Sequence, residues 1–338
     1  MQVHKIQPAV IVATIGVVAV SLTAYSAPKL VAYELRSQQN QQRVVVTTTI
    51  SDPFPISVDP AKKSITSNPS ADAFYAQHTS SLSASLGSLS DVFNWIASLI
   101  DSNSIYRSLA GADSRLITIQ SGDRKEEVAQ SLGNALNWSS AQEGQFMQAV
   151  QDQSAGLPEG MLSPGTYVVD SSMTPENIAS LMNVAFNRAI LTHYSPATAQ
   201  KVPVIQALTV ASLLEREAKG PDDMRIISGI IWNRLFKNMN LQLDASLQYA
   251  KGESKTGVWW QKVVPKDKYL ASAYNTYEHA GLPPGPIANP SVAAVIAALN
   301  PVQTDCIYYF HDKKGDFHCS ATYPEHVALL KKYYGRGK

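Results

Sequence analysis

Val204, Ile205, Leu208, Val210, Leu213 and Leu214 recur so closely that a helix through them is apolar nearly all round, and the run ends on Leu214-Glu215-Arg216-Glu217. Charges at the end of a core helix call for an explanation. Two residues apart on a helix, Glu215 and Glu217 project about 200° from each other, so they cannot face one another as an acid and base pair. At most one lines a cleft. Glu217 continues the stripe of Val210, Leu213 and Leu214, whereas Glu215 continues Leu208, Ala211 and Ser212. Glu217 therefore has the more apolar surroundings, and desolvation raises a carboxyl pKa. A carboxyl kept protonated near neutral pH is a general acid. The plainer alternative is a solvated helix end where Glu215, Arg216 and Glu217 make surface ion pairs.

Asp244 can orient a substrate group or tune Glu217, or it can simply cap a helix or form a turn. Glu325 opens the last helical stretch, where the helix dipole favours an acid, so capping accounts for it; His326 beside it is a site candidate. No metal-ligand cluster, phosphate-cradling glycine loop or nucleophile elbow stands out, and a cofactor-free, metal-free reaction is expected. A net charge of +1 with 16% charged residues announces no basic surface, so nucleic acid is not an expected partner.

The elements that must position these residues follow from periodicity. Helices are expected at Thr174–Leu191, Pro203–Lys219, Asp222–Phe236, Pro290–Leu299 and Pro324–Tyr334. Ile307–Phe310 and Phe317–Ser320 flank a turn at Asp312–Gly315 and read as a hairpin. Cys306 and Cys319 flank that hairpin; a disulfide in an oxidising compartment and two buried free thiols are equally ordinary outcomes, and the spacing is unlike a zinc site. Gly281–Pro290 has a stiff backbone suited to one wall of a groove, or to a plain structural loop. Upstream, Leu116–Gln120 alternates as a strand, Glu126–Leu136 is an amphipathic helix, and a second helix runs from Ser139 or Ser140 to Gln151. Ser90–Ile100 has helical periodicity, and Ala61–Ser90, rich in Ser, Ala, Asn and Thr, reads as linker.

Ile6–Pro28 lacks a charged side chain, close to the roughly 20 apolar residues that cross a bilayer, and a transmembrane helix is expected at residues 8–28. The alternative is a cleaved signal peptide ending at Ala24-Tyr25-Ser26-Ala27. Charge bias settles no orientation, since Lys5 precedes the run while Lys29, Arg36 and Arg43 follow it. The expected fold class is α+β, with an N-terminal transmembrane helix, a small module and a larger mixed domain.

Ala211-Ser212-Leu213-Leu214-Glu215-Arg216-Glu217, Trp232-Asn233-Arg234-Leu235 and Leu241-Gln242-Leu243-Asp244 follow in order; Tyr274-Asn275-Thr276-Tyr277 and Gly281-Leu282-Pro283-Pro284-Gly285-Pro286-Ile287 with Asn289-Pro290 come after. Glu159-Gly160 with Pro164 and Thr166-Tyr167 lie before them, and Ser320, Thr322, Glu325 and His326 beyond. Together these resemble the YceG-like (MltG) endolytic lytic transglycosylase family, over Pro158 to Tyr334. The resemblance implies a cytoplasmic tail at 1–7, the membrane helix, a LysM-like module at 115–156 and a catalytic domain at 157–338; residues 29–114 read from composition as a Ser-rich spacer, of which 44–114 match the family poorly. It places the catalytic domain outside the inner membrane, with peptidoglycan strands as substrate and cell-wall synthesis proteins as candidate partners.

In that family the second glutamate of the Glu-x-Glu segment is catalytic, which carries over to Glu217 and leaves Glu215 in reserve. Glu217 would protonate the departing glycosidic oxygen and then accept a proton from the muramic acid C6 hydroxyl, giving a 1,6-anhydro end. The matching motifs bring Asn233, Gln242, Asp244, Tyr274, Asn275, Thr276, Ser320 and His326 in as substrate-binding candidates. Two positions depart from the family pattern: Asp223-Met224 replaces an acidic-arginine pair, and Ala245 stands where proline is usual. Neither is expected to touch the acid. Two other readings stand beside this one: a non-catalytic glycan-binding scaffold, and a hydrolytic muramidase with Asp244 as its second carboxylate.

Overall fold

The structure is a computed structural model that describes residues 52–83, 114–153, 157, 159–252 and 257–335. These residues are a mixture of helix and sheet in which no helix is long and apolar enough to cross a membrane. That corrects the expected fold class, since no membrane-spanning helix is found among the described residues; the run at 8–28 from which it was inferred lies outside them, as does the helix expected at 90–100.

In chain order the strands are β1 (Val58–Asp59), β2 (Ser64–Ile65), β3 (Ser114–Ile119), β4 (Gly165–Asp170), β5 (Tyr308–His311) and β6 (Phe317–Ser320). The helices are α1 (Pro69–Ser83), α2 (Lys125–Leu136), α3 (Ser140–Gln153), α4 (Pro175–Ala189), α5 (Pro196–Lys201), α6 (Val204–Glu217), α7 (Pro221–Phe236), α8 (Asp244–Lys251), α9 (Val292–Leu299) and α10 (Tyr323–Tyr334). The strands form three two-stranded sheets, β1 with β2, β3 with β4, and β5 with β6. The described residues fall into two compact units. One holds 114–117 and 166–173, and in it β3 pairs with β4. The other holds 52–83, 118–165 and 174–335, and everything below concerns this larger unit.

Its core is built on α6, whose residues from Ala207 through Leu214 are all buried, as the all-round apolar pattern requires. Each large apolar side chain removed from water stabilises the fold by about 1.5–3 kcal/mol. α9 packs beside it with every residue from Ala293 to Leu299 buried. α7 completes the layer through Trp232, 1% exposed, whose indole N–H donates to the Ala298 carbonyl at 2.9 Å. Gly229 on α7 is required by contact: a Cβ there would lie 2.3 Å from the Val302 carbonyl oxygen. No side chain fits.

Part of the stretch read as linker is ordered helix. α1 places Ala71 and Tyr75, four residues apart, on one buried face, and Arg225 of α7 pairs with its Asp72 at 2.7 Å. Just upstream, Ser57 N–H donates to the Leu299 carbonyl at 3.1 Å and Phe54 stacks on His193 at 5.3 Å. Composition hid this because the helix stands on a few apolar anchors. Capping sets the other boundaries: Thr174, Ser195, Ser291 and Thr322 each accept a first-turn N–H of α4, α5, α9 and α10. Glu325 completes the last of these as a capping box, accepting Thr322 N–H at 3.0 Å.

Candidate active site

α6 stops at Glu217 because Ala218 turns extended, with φ −76° and ψ 147°, and Pro221 opens the next helix. The helix therefore delivers Glu217 at its very end, after two turns of buried side chains. Glu217 Oε1 accepts the Ala245 N–H at 3.3 Å, and Oε2 accepts the Tyr309 hydroxyl at 2.8 Å. The residue keeps part of its surface open to solvent while protein surrounds its carboxyl. Burial pushes its pKa up and the Asp244 charge adds to that; the two hydrogen bonds and His311 oppose. Burial dominates, and a proton is retained to higher pH than an open carboxylate would allow.

The Ala245 contact corrects the expectation that neither departure touches the acid. Its amide is a first-turn N–H of α8, which aims a helix N-terminus at Glu217. Proline has no N–H to give.

Glu215 faces elsewhere, as its helical angle demands. Its Oε1 accepts the Ser291 N–H at 2.7 Å, fastening the start of α9. Arg216 lies over the Trp260 ring at 3.8 Å. The reading of this helix end as a set of surface ion pairs is thus replaced by two backbone hydrogen bonds, one tyrosine contact and one cation–π stack.

Tyr309 comes from the C-terminal hairpin, a residue that sequence reasoning missed. β5 and β6 pair antiparallel with Tyr309 opposite Cys319, and the Cys306–Cys319 disulfide closes the hairpin base, which resolves the open cysteine question. Tyr309 stacks on Phe317 at 5.9 Å, and burial beside the Glu217 carboxyl pushes its own pKa well above the ordinary tyrosine value. It remains a donor. Two residues along the strand, His311 Nε2 meets Asp223 at 2.6 Å, and Asp223 accepts the N–H groups of Lys219 and Gly220 just after Glu217. Alternation along β5 would have put 309 and 311 on one face, but only a partner across 92 residues shows which face matters.

Several of the side chains expected at the substrate are engaged within the protein. Asn275 is fully buried; its amide donates to the Lys268 and Leu270 carbonyls at 3.0 and 2.9 Å and its oxygen accepts Tyr277 N–H at 2.9 Å. Thr276, 2% exposed, accepts Leu243 N–H at 3.0 Å and meets the Ser246 hydroxyl at 2.8 Å. Asn233 donates to the Thr304 and Cys306 carbonyls at 2.6 and 3.1 Å, anchoring the approach to the hairpin. Ser320 is buried in β6 with its backbone carbonyl accepting Ile307 N–H at 3.0 Å. His326 stacks on Tyr308 at 5.3 Å, and burial, with the Arg234 charge, pulls its pKa down.

Others stay open to a ligand. Gln242 is exposed at φ +52°, held by its backbone N–H on the Thr276 carbonyl at 2.9 Å. Asp244 is exposed at the start of α8, where its Oδ1 accepts the Tyr277 hydroxyl at 2.7 Å. Tyr274 is half-buried against Tyr249 at 4.7 Å. Thus the 241–246 and 274–277 segments are tied to one another, and Ala245 ties them to Glu217.

The Gly281–Pro290 segment fastens rather than merely lines. Asn289 accepts Leu162 N–H at 2.9 Å on its side-chain oxygen and donates its amide to the Asp123 carbonyl at 2.9 Å, while Ile287 N–H donates to Ser212 Oγ on α6 at 3.0 Å. At Gly160, φ +88°, a Cβ would stand 2.8 Å from Pro286. Beside it Glu159, 3% exposed, accepts Lys125 N–H at 2.9 Å. Among the described residues no group of three or more His, Cys, Asp or Glu is placed to hold a metal ion.

Comparison with known proteins agrees with this arrangement of motifs. The chain is 38% identical over 176 residues to an endolytic murein transglycosylase of Bacillus subtilis, covering 52% of this chain and 48% of that protein. It is 33% identical over 154 residues to an endolytic murein transglycosylase of Streptococcus pneumoniae, covering 46% of this chain and 28% of that one. The chain therefore spans half or less of the relatives it matches. A crystal structure of a yceG-like protein from Listeria monocytogenes superposes with a TM-score of 0.57 at 27% identity, covering 72% of this chain and 91% of that chain. With a family pattern matched across residues 67–332, which takes in both the Glu217 helix and the Tyr309 hairpin, the chain belongs to the YceG-like family.

Proposed function

We propose that this protein is an endolytic lytic transglycosylase of peptidoglycan, with Glu217 as its acid and then its base. The relatives' names support the reaction class. The observation that carries the assignment of Glu217 is its carboxyl, enclosed by protein and raised in pKa by burial, on a residue that keeps part of its surface open to solvent. Protonated Glu217 gives its proton to the glycosidic oxygen leaving the muramic acid anomeric carbon. The C6 hydroxyl of the same sugar attacks that carbon, and the Glu217 carboxylate takes the hydroxyl proton. One bond breaks, one forms, and no water is consumed.

Exposed Gln242 and Asp244 and half-buried Tyr274 are the side chains we assign to the sugar; Asn233, Asn275, Thr276 and Ser320 shape the site from within. We read α2 and α3 as the two helices of the LysM-like module expected at 115–156. The disulfide supports a location outside the reducing cytoplasm.

A hydrolytic muramidase is the second reading, favoured by Asp244 lying close enough for its charge to act on Glu217. Purified peptidoglycan incubated with the protein and with Glu217→Gln separates them by mass spectrometry of the released fragments. Anhydro ends, one water lighter than hydrolytic ends, together with shortened strands and a rate loss of about 10²–10⁴ in the variant, are expected. Reducing ends, or full activity in the variant, would reject the proposal.

A further inference from the structure

The Glu217 carboxyl has two oxygens in unequal surroundings, and a general acid must carry its proton on one of them. Tyr309 Oη has Oε2 as its hydrogen-bond partner among the described residues, at 2.8 Å, on a half-buried ring. If the carboxyl proton sat on Oε2, it would meet the tyrosine proton, or the hydroxyl would lose its acceptor. Either costs a hydrogen bond. Oε1 has the longer contact, 3.3 Å to the Ala245 N–H, and an O–H oxygen can still accept there.

We propose that Tyr309 is the positioning residue for Glu217: by donating to Oε2 it leaves the transferable proton on Oε1 and holds that oxygen toward the glycosidic bond. This rests on Glu217 being the acid. The strand that carries Tyr309 is itself held at four points. The Cys306–Cys319 bond closes the hairpin, Phe317 stacks on the ring, His311 grips Asp223, and the Tyr334 hydroxyl donates to the His311 carbonyl at 2.5 Å. A donor so constrained has one orientation to offer.

The charged and titrating groups acting on Glu217 are Tyr309 and His311 from β5, Asp244 from α8, Arg216 from its own helix, Arg234 from α7 and Tyr277 from the 274–277 segment. Of these, Tyr309 bonds it directly, and the Ala245 amide is the second hydrogen-bond donor to it among the described residues. Removing the tyrosine donor takes away a bond that favours the ionised carboxylate, so the pKa of Glu217 rises further. A stronger donor at the same place lowers it.

The test is the pH dependence of kcat/KM for strand cleavage by the full chain, by Tyr309→Phe and by protein carrying 3-fluorotyrosine at position 309. The fluorinated ring has nearly the same shape and a more acidic hydroxyl, so it keeps the fold and tests the donor independently of phenylalanine. The alkaline limb should move up by roughly one to two pH units in Tyr309→Phe, with kcat at its optimum reduced about tenfold and KM little changed. In the fluorinated protein the limb should move down. Limbs that stay in place in both proteins, or a change confined to KM, would overturn the inference. Glu217→Gln run alongside separates the two claims: if it is inactive while the limbs stay put, only the role of Tyr309 fails, and if it stays active, the acid itself is misassigned.

Discussion

Glu159 is a carboxyl buried away from the acid, and replacing it by glutamine tests how burial governs ionisation in this fold. It is 3% exposed, its Oε1 accepts Lys125 N–H at 2.9 Å and Gly160 N–H at 3.4 Å, and Oε2 has no hydrogen-bond partner. Burial first, then the Glu126 charge, pushes its pKa from 4.5 up to about 8 against the opposing pull of Lys125 and Arg124. The unfolded chain gives up this proton before the folded one does. Its contribution to stability is therefore whole below about pH 4.5 and is lost as pH climbs toward 8. A gap of about 3.5 units corresponds to about 5 kcal/mol, of which about 3 kcal/mol falls between pH 5 and pH 8. Glutamine keeps the acceptor on Oε1 and cannot ionise, while its buried N–H pair costs about 1–3 kcal/mol at every pH. The observable is thus a slope. Urea titrations of both proteins at pH 5, 6, 7 and 8 should show the variant gaining about 3 kcal/mol on the native protein across that range. His326, whose pKa burial lowers, and the other titrating groups cancel in the difference. Parallel curves would refute the reasoning, because they would mean that this carboxyl ionises alike in both states.

Three further outcomes are expected. Replacing Cys306 and Cys319 together by serine, which opens a cross-link between residues 13 apart, should cost about 3 kcal/mol in chemical denaturation, and reductant should reproduce the loss in the native protein. Gly229→Ala drives a methyl into the Val302 carbonyl, and thermal melts should show destabilisation of about 1–3 kcal/mol; an unchanged midpoint would mean that α7 can shift freely. Ala245→Pro deletes one of the two hydrogen bonds to Glu217 in the first turn of α8, where proline is tolerated, and should raise the alkaline limb of the activity profile. A limb that does not move would mean that the 3.3 Å contact has no hold on the carboxyl.

What could be read from the residues was what depends on local pattern. The helix through 204–217 and the hairpin at 308–320 lie where periodicity and turn residues put them, and the angular argument that separates Glu217 from Glu215 agrees with their different partners. What escaped was whatever depends on a partner far along the chain. Asn275 and Thr276 look like side chains for a sugar, yet their amide and hydroxyl are consumed by the backbone of 242–246 and 268–270, a choice that no local pattern reveals. Tyr309 has an unremarkable sequence neighbourhood and finds its role only by tertiary approach. The helix at 69–83 escaped for a third reason: two buried side chains among those described, on a polar stretch, leave little periodicity to detect.

The distance along the chain between Glu217 and the tyrosine that holds it has a bearing on how such a protein is made. Tyr309 emerges 92 residues later, and at about 5–20 residues per second the ribosome needs roughly 5–20 s to supply it. Throughout that interval the carboxyl exists without the clasp that aims it, and the clasp is locked only when two sulfurs, the second of them ten residues further still, have been oxidised.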